Sequence, residues 1–330
     1  MAAVLEDRGH EIFGLDTGYF ADCSMGPVAS NLNMIRKDVR DLKSADLRGF
    51  DAVVHLAALS NDPMGELRPD WTYQINLEGS LQLARVARDA GVQRFLFSSS
   101  CSIYGASDQE MATELSPFQP LSAYAISKVK TEEGLNALAD ASFSPVYLRN
   151  STAYGASPRM RLDLVLNNLA AWAFTTGNVQ IMSDGTPWRP LVHIEDIARA
   201  FAAVLDAPRD VIHNQPFNVG ADTENYQVRD VAEYVRQAVP GSVIRYSGES
   251  APDPRNYRVS FAKIRRELPG YQPVWNAKKG VEQVLRAYRD AALVKEDLQD
   301  RNYIRLKQLR YLLNSGELDD SLRWKQLVTA

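Results

Sequence analysis

The sequence predicts an α/β protein built on a doubly wound parallel sheet, with a smaller mixed α/β region after it. Strand-like and helix-like segments alternate along the first half of the chain at the spacing of βαβ units. Residues 51–56 and 95–97 are apolar runs, as expected of strands buried in a parallel sheet. Small and polar residues follow both runs, at the strand ends where open α/β sheets bind ligands.

Composition excludes several classes of protein. A chain of 330 residues can build one large α/β unit or two closely joined domains. It is 45% hydrophobic and 24% charged, with a net charge of −4, which is typical of a soluble protein and disfavours nucleic acid or an anionic membrane as partner. Only Cys23 and Cys101 could form a disulfide, no apolar run reaches membrane-spanning length, and a signal-peptide pattern is lacking. We therefore expect a cytoplasmic protein.

The N-terminal half begins with the end of a helix and continues with five strands. The helix, Ala2–Arg8, stops at Gly9. Asp70 is expected to cap a long helix, Trp71–Ala90, which Gly91 stops. The predicted strands are Glu11–Leu15, Asn33–Lys37, Asp51–Leu56, Phe95–Phe97 and Ser144–Arg149.

Beyond Gly155 the regular alternation ends. A helix over Asp163–Thr175, a short strand over Val179–Met182 and a strand end at Phe217–Gly220 are predicted there. Residues 291–330 predict one or two amphipathic helices, which we expect to pack on the small domain or a partner subunit. The predicted division is a first domain of 1–155 with a returning segment of about 188–222, a small domain of 156–187 and 223–290, and a helical tail of 291–330.

One stretch combines several residues that can do chemistry. The strand 95–97 runs into Ser98–Ser102, and Ser122 is expected to cap the next helix. Tyr124 and Lys128 then share a helical face, since they are four residues apart. An ammonium beside a phenol favours the phenolate, so the tyrosine pKa should fall from its usual value of about 10. Such a tyrosine can take a proton from a hydroxyl or return one.

Residues 97–105 followed by 124–128 resemble the active-site half of an extended short-chain dehydrogenase/reductase. The pattern is most similar to the nucleotide-sugar epimerase and dehydratase group, and the likeness covers about residues 1–290. It implies a Rossmann-like fold, NAD as cofactor, a nucleotide-sugar substrate and a homodimer. The four histidines and two cysteines lack metal-ligand spacing, so no metal site is predicted.

The resemblance also implies roles for individual residues. Ser100 would hydrogen-bond the hydroxyl being oxidised, Tyr124 would move its proton, and Lys128 would stabilise the phenolate. Asp16 could bind the ribose or cap its own turn, and Asp38 with Val39 could contact adenine or form an exposed polar turn. The implied cofactor contacts are Asp16, Asp38, Val39, Leu56, Ala57, Ala58, Asn76 and Lys128.

Substrate contacts are implied at three positions. Thr152 stands where the family usually has an asparagine that contacts the sugar diphosphate, a departure that weakens any transfer of substrate identity. Arg189 and Arg255 match arginines that reach the nucleotide, and a guanidinium suits a diphosphate because it donates two parallel hydrogen bonds. Solvated surface charge is the alternative for both arginines.

The sequence departs from the family at its start. The Gly-x-x-Gly-x-x-Gly fingerprint would lie roughly 15 residues before Met1. Two interpretations stay open: a start set too far downstream, or a truncation that leaves the pyrophosphate without its backbone cradle.

A second departure concerns the reaction. After Ser100, 4,6-dehydratases have aspartate and glutamate, whereas this chain has Cys101 and Ser102. Without that carboxylate couple a dehydratase lacks its acid and base, unless Asp62 or Glu66 replaces it. Cys101 is expected to be a small packed residue. The sequence thus favours a 4-epimerase that forms a transient keto sugar. A dehydrogenase or ketoreductase, a dehydratase and a non-catalytic dinucleotide sensor are the alternatives.

Overall fold

The computed structural model describes residues 1–25, 32–60, 68–106, 110–247 and 255–325. Asn61, Asp62 and Glu66 lie outside these residues. The strands are β1 Phe13–Asp16, β2 Asn33–Arg36, β3 Ala52–His55, β4 Arg94–Ser100, β5 Ser144–Asn150, β6 Thr152–Tyr154, β7 Asn178–Ile181, β8 Trp188–His193, β9 Gln215–Val219, β10 Asn225–Gln227 and β11 Val243–Tyr246.

Helices connect the successive strands β3, β4 and β5 of the first half as expected of βαβ units. The helices are α1 Ala2–Glu6, α2 (Pro69–Thr72, the π-helical Tyr73–Gly79 and Ser80–Asp89), α3 Ala123–Asn136, α4 Val165–Thr176, α5 Ile194–Asp206, α6 Arg209–Ile212, α7 Val228–Ala238, α8 Ala262–Glu267, α9 Ala277–Asp290 and α10 Arg305–Asn314. No helix within the described ranges combines the length and the apolar character needed to cross a bilayer.

The main sheet has the order β3-β4-β5-β9, and all of its strands are parallel. β5 lies between two neighbours, and its residues 144–149 are buried, so it forms the centre of the fold. β9 brings the chain back to this sheet after β8 has paired with β6. The predicted α/β class with a parallel sheet is confirmed.

The strand predicted at 51–56 is less buried than expected. Ala52, Val53 and Val54 are only half-buried, because β3 pairs with β4 alone within the described chain. β1 and β2 pair with each other in a separate parallel ribbon, which leaves Phe13, Met34 and Ile35 partly exposed. The sequence pattern identified these strands correctly but not how many neighbours each one has.

The long helix α2 begins earlier than predicted. It starts at Pro69, whose missing N–H costs nothing in the first turn of a helix. Asp70 therefore lies inside that turn and does not cap it; its carboxylate accepts hydrogen bonds from Arg68 Nε (3.0 Å) and Nη2 (2.9 Å). The strand predicted at Phe95–Phe97 extends to Ser100, so Ser98, Ser99 and Ser100 lie within β4 and not after it. The other predicted bounds differ by one or two residues, as element ends usually do.

Two smaller sheets lie apart from the main sheet: the parallel pair β7 and β11, and the sheet β10-β8-β6, in which β8 and β10 are antiparallel. The division of the chain into domains stays a prediction. The C-terminal tail contributes to two apolar clusters. Leu293 and Leu298 belong to the apolar cluster around α4, α7 and α9, while α10 packs on Tyr19, Leu59, Trp71 and Ile75, which was not predicted.

Candidate active site

Tyr124 and Lys128 lie in the first two turns of α3, and the local sequence explains why the helix starts there. Ser122 Oγ accepts a hydrogen bond from the N–H of Ala125 at 3.2 Å and so caps it. Lys128 Nζ lies 5.5 Å from the centre of the Tyr124 ring and donates to the carbonyl of Ser98 at 2.6 Å. Tyr124 is half-buried, whereas Lys128 is only 3% exposed. The ammonium is therefore held between the tyrosine ring and the end of β4.

Ser100 is the last residue of β4 and is half-buried. Its Oγ accepts a hydrogen bond from the N–H of Ser102 at 3.2 Å, which starts a short 3-10 turn. Because side chains alternate along a strand, Ser98 and Ser100 point to the same face. The lysine that holds Ser98 thus reaches the strand end that carries Ser100.

Burial lowers the pKa values of two side chains in this region, Lys128 and His55. It lowers the pKa of Lys128 to about 7, although the negative charge of Glu132 acts to raise it. Burial and the positive charge of Lys128 together lower the pKa of His55 to about 3. The His55 ring lies 2.7 Å from Ser80 Oγ and stacks on Phe97, so it is a packed core histidine.

Replacing Lys128 with methionine is expected to stabilise the cofactor-free protein while removing its activity. The folded state disfavours the charged form of Lys128. This charge therefore destabilises the fold by its full amount below pH 7, and the destabilisation disappears as the pH rises toward 10.5. A gain of about 1–3 kcal/mol in the free energy of unfolding is expected near pH 6, shrinking by pH 9. Urea unfolding at the two pH values measures it. Lys130→Met, at an exposed lysine of the same helix, is the control; an equal gain there would contradict the prediction.

A buried ion pair that the sequence analysis missed joins Arg149 to Glu132, which lies one helical turn after Lys128. Arg149 donates to Glu132 through Nη2 at 2.7 Å, and the two side chains are 4% and 6% exposed. Ser99 Oγ donates to Glu132 at 2.5 Å, and Arg149 Nη1 donates to Tyr104 Oη at 3.0 Å. Two signals were available: an acid four residues after Lys128 on the same helix, and an arginine inside an apolar strand.

Cys101 and Ser102 differ in their surroundings. Cys101 is fully buried, its thiol donates to the carbonyl of Arg149 at 3.1 Å, and burial raises its pKa. It is therefore a packed residue and a poor proton donor. Ser102 Oγ and Asn150 Oδ1 are buried without a hydrogen-bond partner in the described part of the chain. Asn150 Nδ2 donates to Ser98 Oγ at 3.0 Å, which places this amide beside the candidate site, a position that the sequence analysis missed.

A cavity of about 190 Å³ lies at the ends of β1 and β3, and six of the eight predicted cofactor residues line it; Asn76 and Lys128 do not. Its walls are mostly apolar, and Asp16 stands at the rim, a combination that fits a purine ring next to a ribose. The Asp16 carboxylate also accepts a hydrogen bond from the N–H of Gly18 at 2.6 Å, so it stabilises its own turn. The residues that line the cavity are Leu15, Asp16, Thr17, Tyr19, Phe20, Lys37, Asp38, Val39, Leu56, Ala57, Ala58, Leu59 and Ile75.

Two predicted cofactor residues also have structural partners. Asp38 accepts three hydrogen bonds from Arg40, including one from Nη2 at 2.6 Å; burial acts to raise the Asp38 pKa, but these bonds lower it overall. Asn76 is fully buried and pairs with the backbone N–H and C=O of Leu59 at 2.8 and 3.0 Å. Asn76 thus fixes the loop after β3.

The structure brings Arg189 and Arg255 together. Arg189 is buried on β8, and its Nη1 donates to the carbonyls of Trp188, at 2.7 Å, and of Arg255. A solvated surface charge therefore does not describe Arg189. Arg255 is half-buried. Thr152 is half-buried on β6, opposite Leu191 of β8.

A larger cavity of about 550 Å³ lies elsewhere, between β10 and residues 273–278. Glu224, Tyr226 and Trp275 line it, and burial raises the pKa of Glu224 to about 7. None of the predicted site residues borders it, and the candidate active site is the region at the ends of β1, β3 and β4.

Comparisons with known proteins identify the family of this chain. Residues 1–220 match the model of the NAD dependent epimerase/dehydratase family. A UDP-glucose 4-epimerase from Corynebacterium glutamicum is 30% identical over 291 residues, which are 82% of this chain and 86% of that protein.

Solved structures give the same fold. An NAD-dependent NDP-hexosamine 5,6-dehydratase involved in tunicamycin biosynthesis superposes with a TM-score of 0.77 at 24% identity, over 87% of this chain and 92% of that one. A dTDP-glucose 4,6-dehydratase from Streptomyces venezuelae, solved with NAD, gives 0.71 at 26% identity over 82% and 84%. The predicted resemblance, enzyme class and NAD cofactor are thereby confirmed. The chain belongs to the NAD dependent epimerase/dehydratase family.

Proposed function

We propose that this protein is an NAD-dependent nucleotide-sugar 4-epimerase that acts through a transient 4-keto sugar. The observation that supports it best is the buried Lys128 ammonium, held between the Tyr124 ring and the Ser98 carbonyl. The similarity to the corynebacterial UDP-glucose 4-epimerase supports a UDP-sugar as substrate. A homodimer and a cytoplasmic location stay predictions.

The catalytic work of the chain would rest on three side chains. Ser100 hydrogen-bonds the C4 hydroxyl of the sugar and orients it. Tyr124 takes the hydroxyl proton as the C–O bond becomes a ketone, and returns it when the ketone is reduced. Lys128 keeps the phenolate stable and binds the ribose at the nicotinamide end of the cofactor site. NAD, when bound, supplies the hydride acceptor and then the donor for the opposite face of the sugar.

The remaining polar residues would hold the ligands. Arg189 and Arg255 would bind the sugar diphosphate, a role consistent with the hydrogen bond from Arg189 Nη1 to the backbone carbonyl of Arg255, and Thr152 replaces the usual asparagine there. Asp16 and Val39 would bind the adenosine at the small cavity, where Asp38, held by Arg40, fixes the wall. Leu56, Ala57 and Ala58 line the cavity at the end of β3, where a ligand can approach the backbone closely.

A dehydratase is the second candidate, since the Streptomyces 4,6-dehydratase is also similar. Two observations disfavour it. Cys101 is fully buried with a raised pKa, and Ser102 is a weak acid, so these positions lack the couple that removes water from C5 and C6. A dehydrogenase or ketoreductase would use the same three catalytic residues. A non-catalytic sensor is disfavoured because Ser100, Tyr124 and Lys128 are all present.

The mass of the product distinguishes these reactions. Incubation with UDP-, dTDP-, GDP- and CDP-sugars is expected to give a stereoisomer of unchanged mass without accumulation of NADH, because the hydride returns to the sugar. Mass spectrometry and chromatography detect it, and Tyr124→Phe protein is the control for background. A loss of two hydrogens with NADH would identify a dehydrogenase. A product lighter by one water would overturn the assignment.

A further inference from the structure

The C-terminal segment 305–325, which we call the brace, covers part of the first domain. Its leucines and tryptophan form one apolar cluster with residues of the first domain. The brace contributes Leu306, Leu309, Leu312, Leu313, Leu318, Leu322 and Trp324, and the first domain contributes Tyr19, Phe20, Leu59, Trp71 and Ile75. Leu309 and Leu322 are 1% and 0% exposed, so the contact is tightly packed.

Hydrogen bonds fix the register of the brace. Trp71 Nε1 donates to the carbonyl of Asp320 at 2.7 Å, and Tyr19 Oη donates to the carbonyl of Leu322. In the other direction, Trp324 Nε1 donates to the carbonyl of Thr17 at 2.7 Å. Donors on both sides hold the brace in one position.

The Leu322 backbone lies in the left-handed region, with φ of +57°, which a leucine seldom adopts. Its side chain is fully buried, and its carbonyl accepts hydrogen bonds from both Tyr19 and Arg40. Such a conformation persists only where surrounding contacts enforce it. Leu322 is therefore the anchor of the brace.

The brace contacts the same residues that form the adenosine cavity. Thr17, Tyr19 and Phe20 line the cavity on one side and bond or pack with the brace on the other. Arg40, which holds Asp38 at the cavity, also donates to the carbonyl of Ser321 at 2.9 Å. The lining residues all come from positions 15–75 of the described chain, so the brace supports the wall and leaves the cavity open.

We propose that the brace is a positioning element for the adenosine half of NAD, fixing the segment 17–20 as the wall of that cavity. The proposal rests on the proposed function, because it requires NAD to occupy the cavity. The brace would act by positioning alone. Trp324 Nε1 donates to the Thr17 carbonyl, and the Trp324 ring lies 4.4 Å from the guanidinium of Arg36.

Calorimetric titration of the full chain with NAD, ADP-ribose and UDP tests the proposal. Trp324→Ala is expected to raise the Kd for NAD and ADP-ribose about tenfold and to leave the Kd for UDP within twofold. Trp324→Phe keeps one aromatic ring but loses the indole N–H and its fused five-membered ring, so a smaller loss is expected even if the alanine variant folds poorly. Tyr311→Ala, at an exposed residue of α10, is the control and should bind all three ligands normally.

Each other outcome has a defined meaning. Normal NAD binding by Trp324→Ala would overturn the inference and leave the proposed function intact. Tighter binding would also overturn it, since the segment would then compete with the cofactor. Equal losses for NAD and UDP would show general damage and contradict a local role. A wild-type chain that binds UDP but neither NAD nor ADP-ribose would overturn the proposed function and the inference together.

Discussion

Replacing Tyr124 with phenylalanine is expected to lower turnover about a thousandfold while sugar nucleotide and cofactor still bind. The substitution keeps the ring beside Lys128 and removes only the hydroxyl that would carry the proton. General acid–base groups typically contribute factors of 10² to 10⁴ in rate, which sets the expected size. Steady-state kinetics should show the loss in kcat with little change in KM, and calorimetry should show unchanged ligand binding.

The chain offers a matched control for this experiment. Tyr73 on α2 also has a lysine near its ring, since Lys130 Nζ lies 5.7 Å from the ring centre. Tyr73→Phe removes a hydroxyl from a similar tyrosine–lysine pair outside the proposed site, and its activity should stay near that of the wild type. Near-normal turnover of Tyr124→Phe would refute the acid–base role of Tyr124.

The second large effect concerns stability and comes from the buried ion pair. Arg149→Met is expected to lower the free energy of unfolding by about 3–5 kcal/mol, because Glu132 would stay charged and buried without its partner. Tyr104 would also lose a hydrogen-bond donor. Chemical unfolding followed by circular dichroism measures the change, provided that enough folded variant can be purified.

Two further variants separate a lost charge pair from lost packing. The double variant Arg149→Met with Glu132→Leu removes both charges and should recover much of the lost stability, since two apolar side chains leave no unpaired charge. Arg236→Met breaks the exposed pair with Glu233 and should unfold like the wild type. If the double variant were less stable than Arg149→Met alone, packing would account for the effect instead.

The elements of the first domain could be predicted because each has a local signal. Apolar runs identified β3 and β4, and Ser122 marked the start of α3. Helical spacing then placed Tyr124 and Lys128 on one face, and the structure has them there. Helix ends were less predictable, as at Pro69, because several residues near a helix start can serve the first turn.

Features that depend on distant parts of the chain had no such signal. The exposure of β3 depends on which strands pair with it, and apolar composition does not give that number. The partner of Glu132 is an arginine on a neighbouring strand, and a helix pattern cannot name it. The docking of α10 on the first domain is another case, because an amphipathic helix specifies an apolar face and not the surface that covers it.

The brace has a consequence for the order in which the protein can assemble during synthesis. The bond from Lys128 to Ser98 spans 30 residues and the Arg149–Glu132 contact spans 17, whereas the bond from Tyr19 to Leu322 spans 303. Domains emerge from the ribosome N-terminal end first. The catalytic end of the site can therefore close while translation continues. The wall of the adenosine cavity is completed only after residues 305–325 have been made. The first strands of the protein therefore lack the contacts with the brace until nearly the whole chain has been synthesised.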